Sequence, residues 1–314
     1  MSHTTLVLGA GASVAMNYPV GDGLRNTIIN EAVSTYGAHI SKAKTGIYRD
    51  HLNEFTEEFR NSQMASIDAF LARRPEYAEI GKLTIAAILL DRENKDLLHS
   101  CDHKDHWYQY FFNRIASHSW ESLSFQRIAI VTFNYDRSLE HYLAKAMMAS
   151  YKKSFVECCE KLKELRIVHV YGSIGPCNPN DPLYFSYGEP LNSSNIAVAA
   201  AGLKVIPEGR QEDESLIKAR DLLITADKIA FLGFSFDEIN LERLDSSVTC
   251  QETVKRQNGT LMRTVTGTSL GLTNAEATKA VRLTAGGKYA RDPASMLHGI
   301  GCLGMLRETL ILEP

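Results

Sequence analysis

The stretch Thr5–Met16, "TLVLGAGASVAM", constrains the fold more than any other part of the chain. An apolar run of strand length passes directly into Gly-Ala-Gly-Ala-Ser and then into a helix-like pattern. Such a turn carries no large side chain, so its backbone N–H groups can approach a pyrophosphate at a helix N-terminus. The hydride-transfer version of the loop has a third glycine three residues on, and an acidic residue ending a second strand about twenty residues later. Here Val14 takes the glycine position, and Glu31, near the right distance, sits in a helical pattern. The turn predicts a nucleotide-binding α/β fold without dehydrogenase chemistry.

From Leu24 to about Ser124 the apolar spacing is helical, with almost no strand signal and a proline, Pro75, that breaks or kinks one helix. The pattern then alternates. "RIAIVTFNYD", "LRIVHVYGSIG" and "DKIAFLGFSFDEIN" read as strands ending in polar turns, with helices between them and "GTLMRTVTGT" as a further strand. Thr273 or Asn274 caps a helix near the end. Strands alternating with helices predict a Rossmann-like, doubly wound parallel sheet. We read residues 1–314 as one such domain with a helical insertion at about 24–124.

The net charge of −3 supplies no basic field, so direct nucleic-acid binding is not expected. No apolar run reaches the ~18 residues of a membrane span. The N-terminal run lacks a basic leader and is interrupted by Gly9 and Gly11, so a cytoplasmic protein is expected. None of the six cysteines is spaced Cys-x-x-Cys. "CDHKDH", Cys101–His106, is the metal-like cluster of the chain, and a solvated polar turn is its simpler reading. No metal is expected.

Polar residues collect at the strand ends. Asn134 and Asp136 close "TFNYD", where Asp136 has the spacing of a helix cap and Asn134 that of a turn former. His169 lies near the end of the strand in "HVYGS", as a core histidine or a reactive one. "GFSFD" brings Gly233, Ser235 and Asp237, the last placed as an N-cap.

In this order the motifs resemble the sirtuin-like superfamily, in particular its prokaryotic branch of NAD-consuming defence proteins. "VLGAGAS" with a following "YP", "SIDAFL", "IVTFNYDRSLE", "HVYGS" and "LGFSFDEINLERL" carry the likeness over most of the chain. The resemblance implies that Gly9, Ala10, Gly11, Ala12 and Ser13 cradle the pyrophosphate of NAD, with Gly172 a further contact. It implies Asn134 and Asp136 at the nicotinamide ribose, His169 as catalytic base, and Gly233 and Ser235 toward the adenosine. The zinc site of the protein-deacylating members needs two Cys-x-x-Cys pairs, which this sequence lacks.

These residue types suit cleavage of NAD. Nicotinamide leaves as a neutral base from a cationic ribosyl linkage, so what needs stabilising is an oxocarbenium-like transition state. Asn134 can hold a ribose hydroxyl or water without adding charge, and His169 can take its proton near neutral pH. The expected activity is an NAD glycohydrolase serving as an antiphage effector. The alternatives are a non-catalytic NAD- or ADP-ribose-binding module of a defence complex, or a deacylase or ADP-ribosyltransferase. An unrestrained NAD hydrolase would drain its host. Activation through self-assembly, a partner protein or a nucleotide signal is therefore expected.

Overall fold

The computed structural model describes residues 3–100, 105–205, 213–251, 253–256, 259–284 and 296–313. Strands β1 (Thr4–Leu8) and β2 (Ile128–Thr132) are buried at every position. A strand covered on both faces has no polar side to present, hence its unbroken apolar run. β3 (Arg166–His169) pairs with β2, and β4 (Lys228–Leu232) pairs with the other edge of β1. β5 (Thr253–Arg256) and β6 (Gly259–Met262) form a separate antiparallel pair. β7 (Thr264–Thr268) and β8 (Leu297–His298) complete the main sheet. Its order is β3-β2-β1-β4-β7-β8, with every pairing parallel.

With the β5–β6 pair set aside, this is the strand order of a Rossmann-like doubly wound sheet, whose direction of winding reverses beside β1. The expected α/β class is the one observed. Two readings are refined. "GTLMRTVTGT" is two strands divided at Arg263, whose buried guanidinium donates to the carbonyls of Thr249 and Ile224. The strand in "LRIVHVYGSIG" stops at His169, where the chain turns toward a left-handed Gly172.

Between β1 and β2, the described residues form helices and the turns that join them, with no strand among them. Ser66 caps the helix Ile67–Arg73 by accepting the Asp68 N–H at 3.1 Å. Pro75 ends that helix and opens a short turn into the next, Ala78–Asp91. That helix is apolar nearly all round and forms the centre of the insertion, packed by Gly21–Glu31, Gly37–Ala43 and Ser193–Gly202. Rings of Phe55, Phe59, Phe70 and Tyr77 fill its flank, Phe59 and Phe70 lying 5.0 Å apart. No helix among the described residues is long and apolar enough to cross a membrane.

A buried ion pair ties the insertion to the sheet. Arg137 meets Glu93 through Nε–Oε1 (2.8 Å) and Nη2–Oε2 (3.1 Å), with both side chains almost fully enclosed. Arg137 also donates to Pro176 O and Phe185 O, while Glu93 accepts the Gly188 N–H. Truncating either member leaves a buried charge, so Glu93→Ala or Arg137→Ala should cost about 3–5 kcal/mol in urea unfolding. A double Glu93→Met, Arg137→Met variant should recover only part of that, because the carbonyls and the Gly188 N–H stay unpartnered.

Candidate active site

The parallel register sets Leu8 opposite Thr132 and Leu232, and Thr132 opposite His169. The residues that follow emerge side by side at the C-terminal edge of the sheet, where open α/β sheets bind ligands. Backbone bonding continues one step beyond the strands. Phe133 N–H donates to Leu8 O (3.0 Å), Gly9 N–H to Leu232 O (3.0 Å) and Val170 N–H to Thr132 O (2.9 Å).

Asn134, Ser13 and Asp136 form a buried chain of hydrogen bonds. Asn134 Nδ2 donates to Gly9 O (2.9 Å) and Ser13 Oγ (3.0 Å), and Ser13 Oγ donates to Asp136 Oδ2 (2.8 Å). Asp136 Oδ1 accepts both the N–H and the hydroxyl of Ser138, at the start of the helix Ser138–Tyr151. The carboxylate therefore serves the helix start, as its spacing suggested, and anchors the glycine turn as well. Burial pushes its pKa above the ordinary carboxyl range, against the bonds from Ser138 and Ser13. The insertion holds both ends of this chain: Tyr108 OH meets Ser138 Oγ at 2.7 Å, and Trp107 Nε1 donates to Ala12 O at 2.8 Å.

His169, half-buried at the end of edge strand β3, meets the same group from the side. Its Nδ1 lies 3.0 Å from Asn134 O, and its Nε2 lies 2.7 Å from Glu140 Oε1. Burial disfavours a charged ring, but the Glu140 carboxylate and the Asn134 carbonyl outweigh it and hold the pKa above that of an ordinary histidine. Glu140 was missed in the sequence, where it resembles a surface helix residue. Its position in the first turn of the helix Ser138–Tyr151 carries no mark in the sequence that points to His169.

The glycines have a cause inside the fold. Gly233, at φ +56°, accepts the Gly11 N–H at 2.9 Å and donates its own N–H to Thr268 Oγ1 at 2.8 Å. A Cβ on Gly9 or Gly11 would come within 2.6 or 2.8 Å of the Gly233 backbone. Close packing of the turn against the end of β4 thus requires the same bare backbone that a pyrophosphate would. Ala10 is partly exposed, and Ala12 and Ser13 are buried. Gly172 packs elsewhere, against Gly202 O at the end of the helix Ser193–Gly202, and Ser235 is exposed. Asp237 caps the helix Glu238–Arg243, as its position implied.

Two further groups rim the site. Phe133, Tyr171 and Phe234 extend from β2, β3 and β4, and the Phe133 ring lies 5.6 Å from Tyr171 and 5.2 Å from Phe234. Asp68, in the "SIDAFL" segment, accepts the Tyr135 hydroxyl, while Arg243 donates to the Tyr171 hydroxyl. Among the described residues, no group of three or more His, Cys, Asp or Glu is placed to hold a metal ion. Of the "CDHKDH" run, residues 101–104 lie outside the described residues. His106 instead bonds Leu98 O through Nε2 and accepts the Gln109 N–H at Nδ1.

No protein-family model matches the chain, and no curated protein matches it. The chemistry of the site has to be read from its own residues.

Proposed function

We propose that the chain cleaves NAD at the nicotinamide–ribose bond, releasing nicotinamide and ADP-ribose. The observation that carries this reading is the meeting of His169 with Asn134 beside the glycine turn of β1, at the edge where the sheet reverses its winding. An amide and an imidazole next to a nucleotide-type turn suit an oxocarbenium-like transition state, since neither needs to place a fixed positive charge beside the ribose. The nearest cation in sequence, Arg137, is consumed by Glu93 and backbone carbonyls. The motif order shared with sirtuin-like defence proteins extends the proposal to a gated antiphage effector, triggered by self-assembly, a partner protein or a nucleotide signal. Light scattering with turnover measured in the same sample tests that extension.

A second reading is favoured by one feature. Both nitrogens of His169 are bonded within the protein, which also suits a module that binds NAD or ADP-ribose without cleaving it. Incubating purified protein with NAD and resolving the products by chromatography separates the two. Nicotinamide and ADP-ribose in equal amounts are expected. Bound but intact NAD would favour the module, and neither binding nor cleavage would refute both.

A further inference from the structure

The contacts of His169 fix where its protons are. The Asn134 carbonyl only accepts, so Nδ1 carries hydrogen. At 2.7 Å, Nε2 and Glu140 Oε1 must share a hydrogen between them. With that hydrogen on nitrogen, the pair is an imidazolium facing a carboxylate. With it on oxygen, the Nε2 lone pair accepts from Glu140. In neither arrangement does the ring offer a lone pair to a hydroxyl or water of a substrate.

The surroundings favour the ionic arrangement. The side chains are only 15% and 19% exposed, so solvent screens the attraction weakly. Glu140 faces the ring from the helix Ser138–Tyr151, and Asp136 with the Asn134 carbonyl faces it from the turn after β2. Both of these charged side chains are carboxylates, which favour the protonated ring.

We propose that Glu140 is a positioning residue that holds His169 doubly protonated in the resting chain, so that the ring becomes a base only once Glu140 releases Nε2. On release, the Nε2 proton passes to the Glu140 carboxylate or to water, and the freed lone pair can take a hydroxyl proton. This rests on the reading of His169 as the base for NAD cleavage. It supplies a restraint within the site itself, on which a trigger can act.

The test uses the full chain labelled in its imidazole rings, with the His169 signals assigned by their loss in His169→Gln. Its ring is followed by NMR from about pH 5 to about pH 9, bracketing the ordinary histidine range. In the parent protein His169 should show the signature of a doubly protonated ring at neutral pH. In Glu140→Gln its titration should move to lower pH, and the acid limb of NAD cleavage should move with it, raising kcat at pH 6 with little change in KM. A neutral His169 ring in the parent at pH 7, or identical titrations in the two proteins, would overturn the proposal. The parent titration decides the matter even if the variant does not fold. The NMR readout involves no NAD, so a shifted titration without NAD cleavage would count against the glycohydrolase reading alone.

Discussion

His169→Ala is expected to lower NAD cleavage by about 10²–10⁴-fold, the usual loss on removing a general base, while leaving the chain folded. The side chain sits at the end of an edge strand and contributes two hydrogen bonds, one to a charged partner, so truncation should cost about 1–3 kcal/mol. Asn134→Ala should also strongly lower cleavage, but less cleanly, because the Asn134 amide pins Gly9 O and Ser13 Oγ in a buried position. Nicotinamide release and urea unfolding, measured on the same preparations, separate chemistry from stability. The stability effect has a definite pH dependence. Folding raises the His169 pKa, so the native state holds the proton more tightly than the unfolded chain does. The contribution is fully present below the unfolded value of about 6.5 and fades as pH rises through the raised folded value. The gap between parent and His169→Ala should therefore narrow on going from mildly acid to alkaline pH. A gap that widens would refute the assigned protonation.

Gly233→Ala is expected to cost more than about 5 kcal/mol, or to prevent folding outright. The position has φ +56°, and an added Cβ would lie 2.1 Å from Ala12 N and 2.2 Å from Gly11 C. The atoms met are backbone of the glycine turn and cannot swing aside as a side chain could, so β4 and the glycine turn would have to separate. The same contact changes what a Gly11→Val variant reports. From sequence, that change should weaken NAD binding in a folded protein. A Cβ at Gly11 would lie 2.8 Å from Gly233 Cα, so the variant should lose stability whether or not NAD binds there. Urea or thermal unfolding of Gly233→Ala checks this, and a loss below about 1 kcal/mol would contradict the packing described.

The parts legible in the sequence are those where one local pattern determines one structural outcome. β1, β2 and β4 are short buried apolar runs closed by polar turns, and their length and closing turns separate them from the longer apolar helix Ala78–Asp91. Asp237 was legible as a cap, and of the two candidates Thr273 and Asn274 the structure selects Thr273, since a capping side chain bonds its own next turn. β8 was not legible, because two residues carry no periodicity. β5 was not read as a strand, and β6 was read as one strand with β7, because Arg263 interrupts the run without a turn residue. Within the site, Asn134, Asp136 and His169 stand out as polar residues at the ends of apolar strands. Their partners do not. Glu140 lies on a helix, Asp68 is 67 residues from Tyr135, and Trp107 is 95 residues from the carbonyl it binds. The Asp68 and Trp107 pairs form only once the insertion folds back over the sheet edge, and the Glu140 pair only once β3 docks beside β2; no spacing along the chain records either.

Cleavage of NAD at His169 can be followed in a single NMR sample of imidazole-labelled protein in excess over NAD. The expected result is that the His169 ring signals move on addition of NAD, and that free nicotinamide then accumulates to one equivalent per NAD added. NAD bound with the His169 signals unmoved, or NAD intact after prolonged incubation, would contradict the assignment of this site.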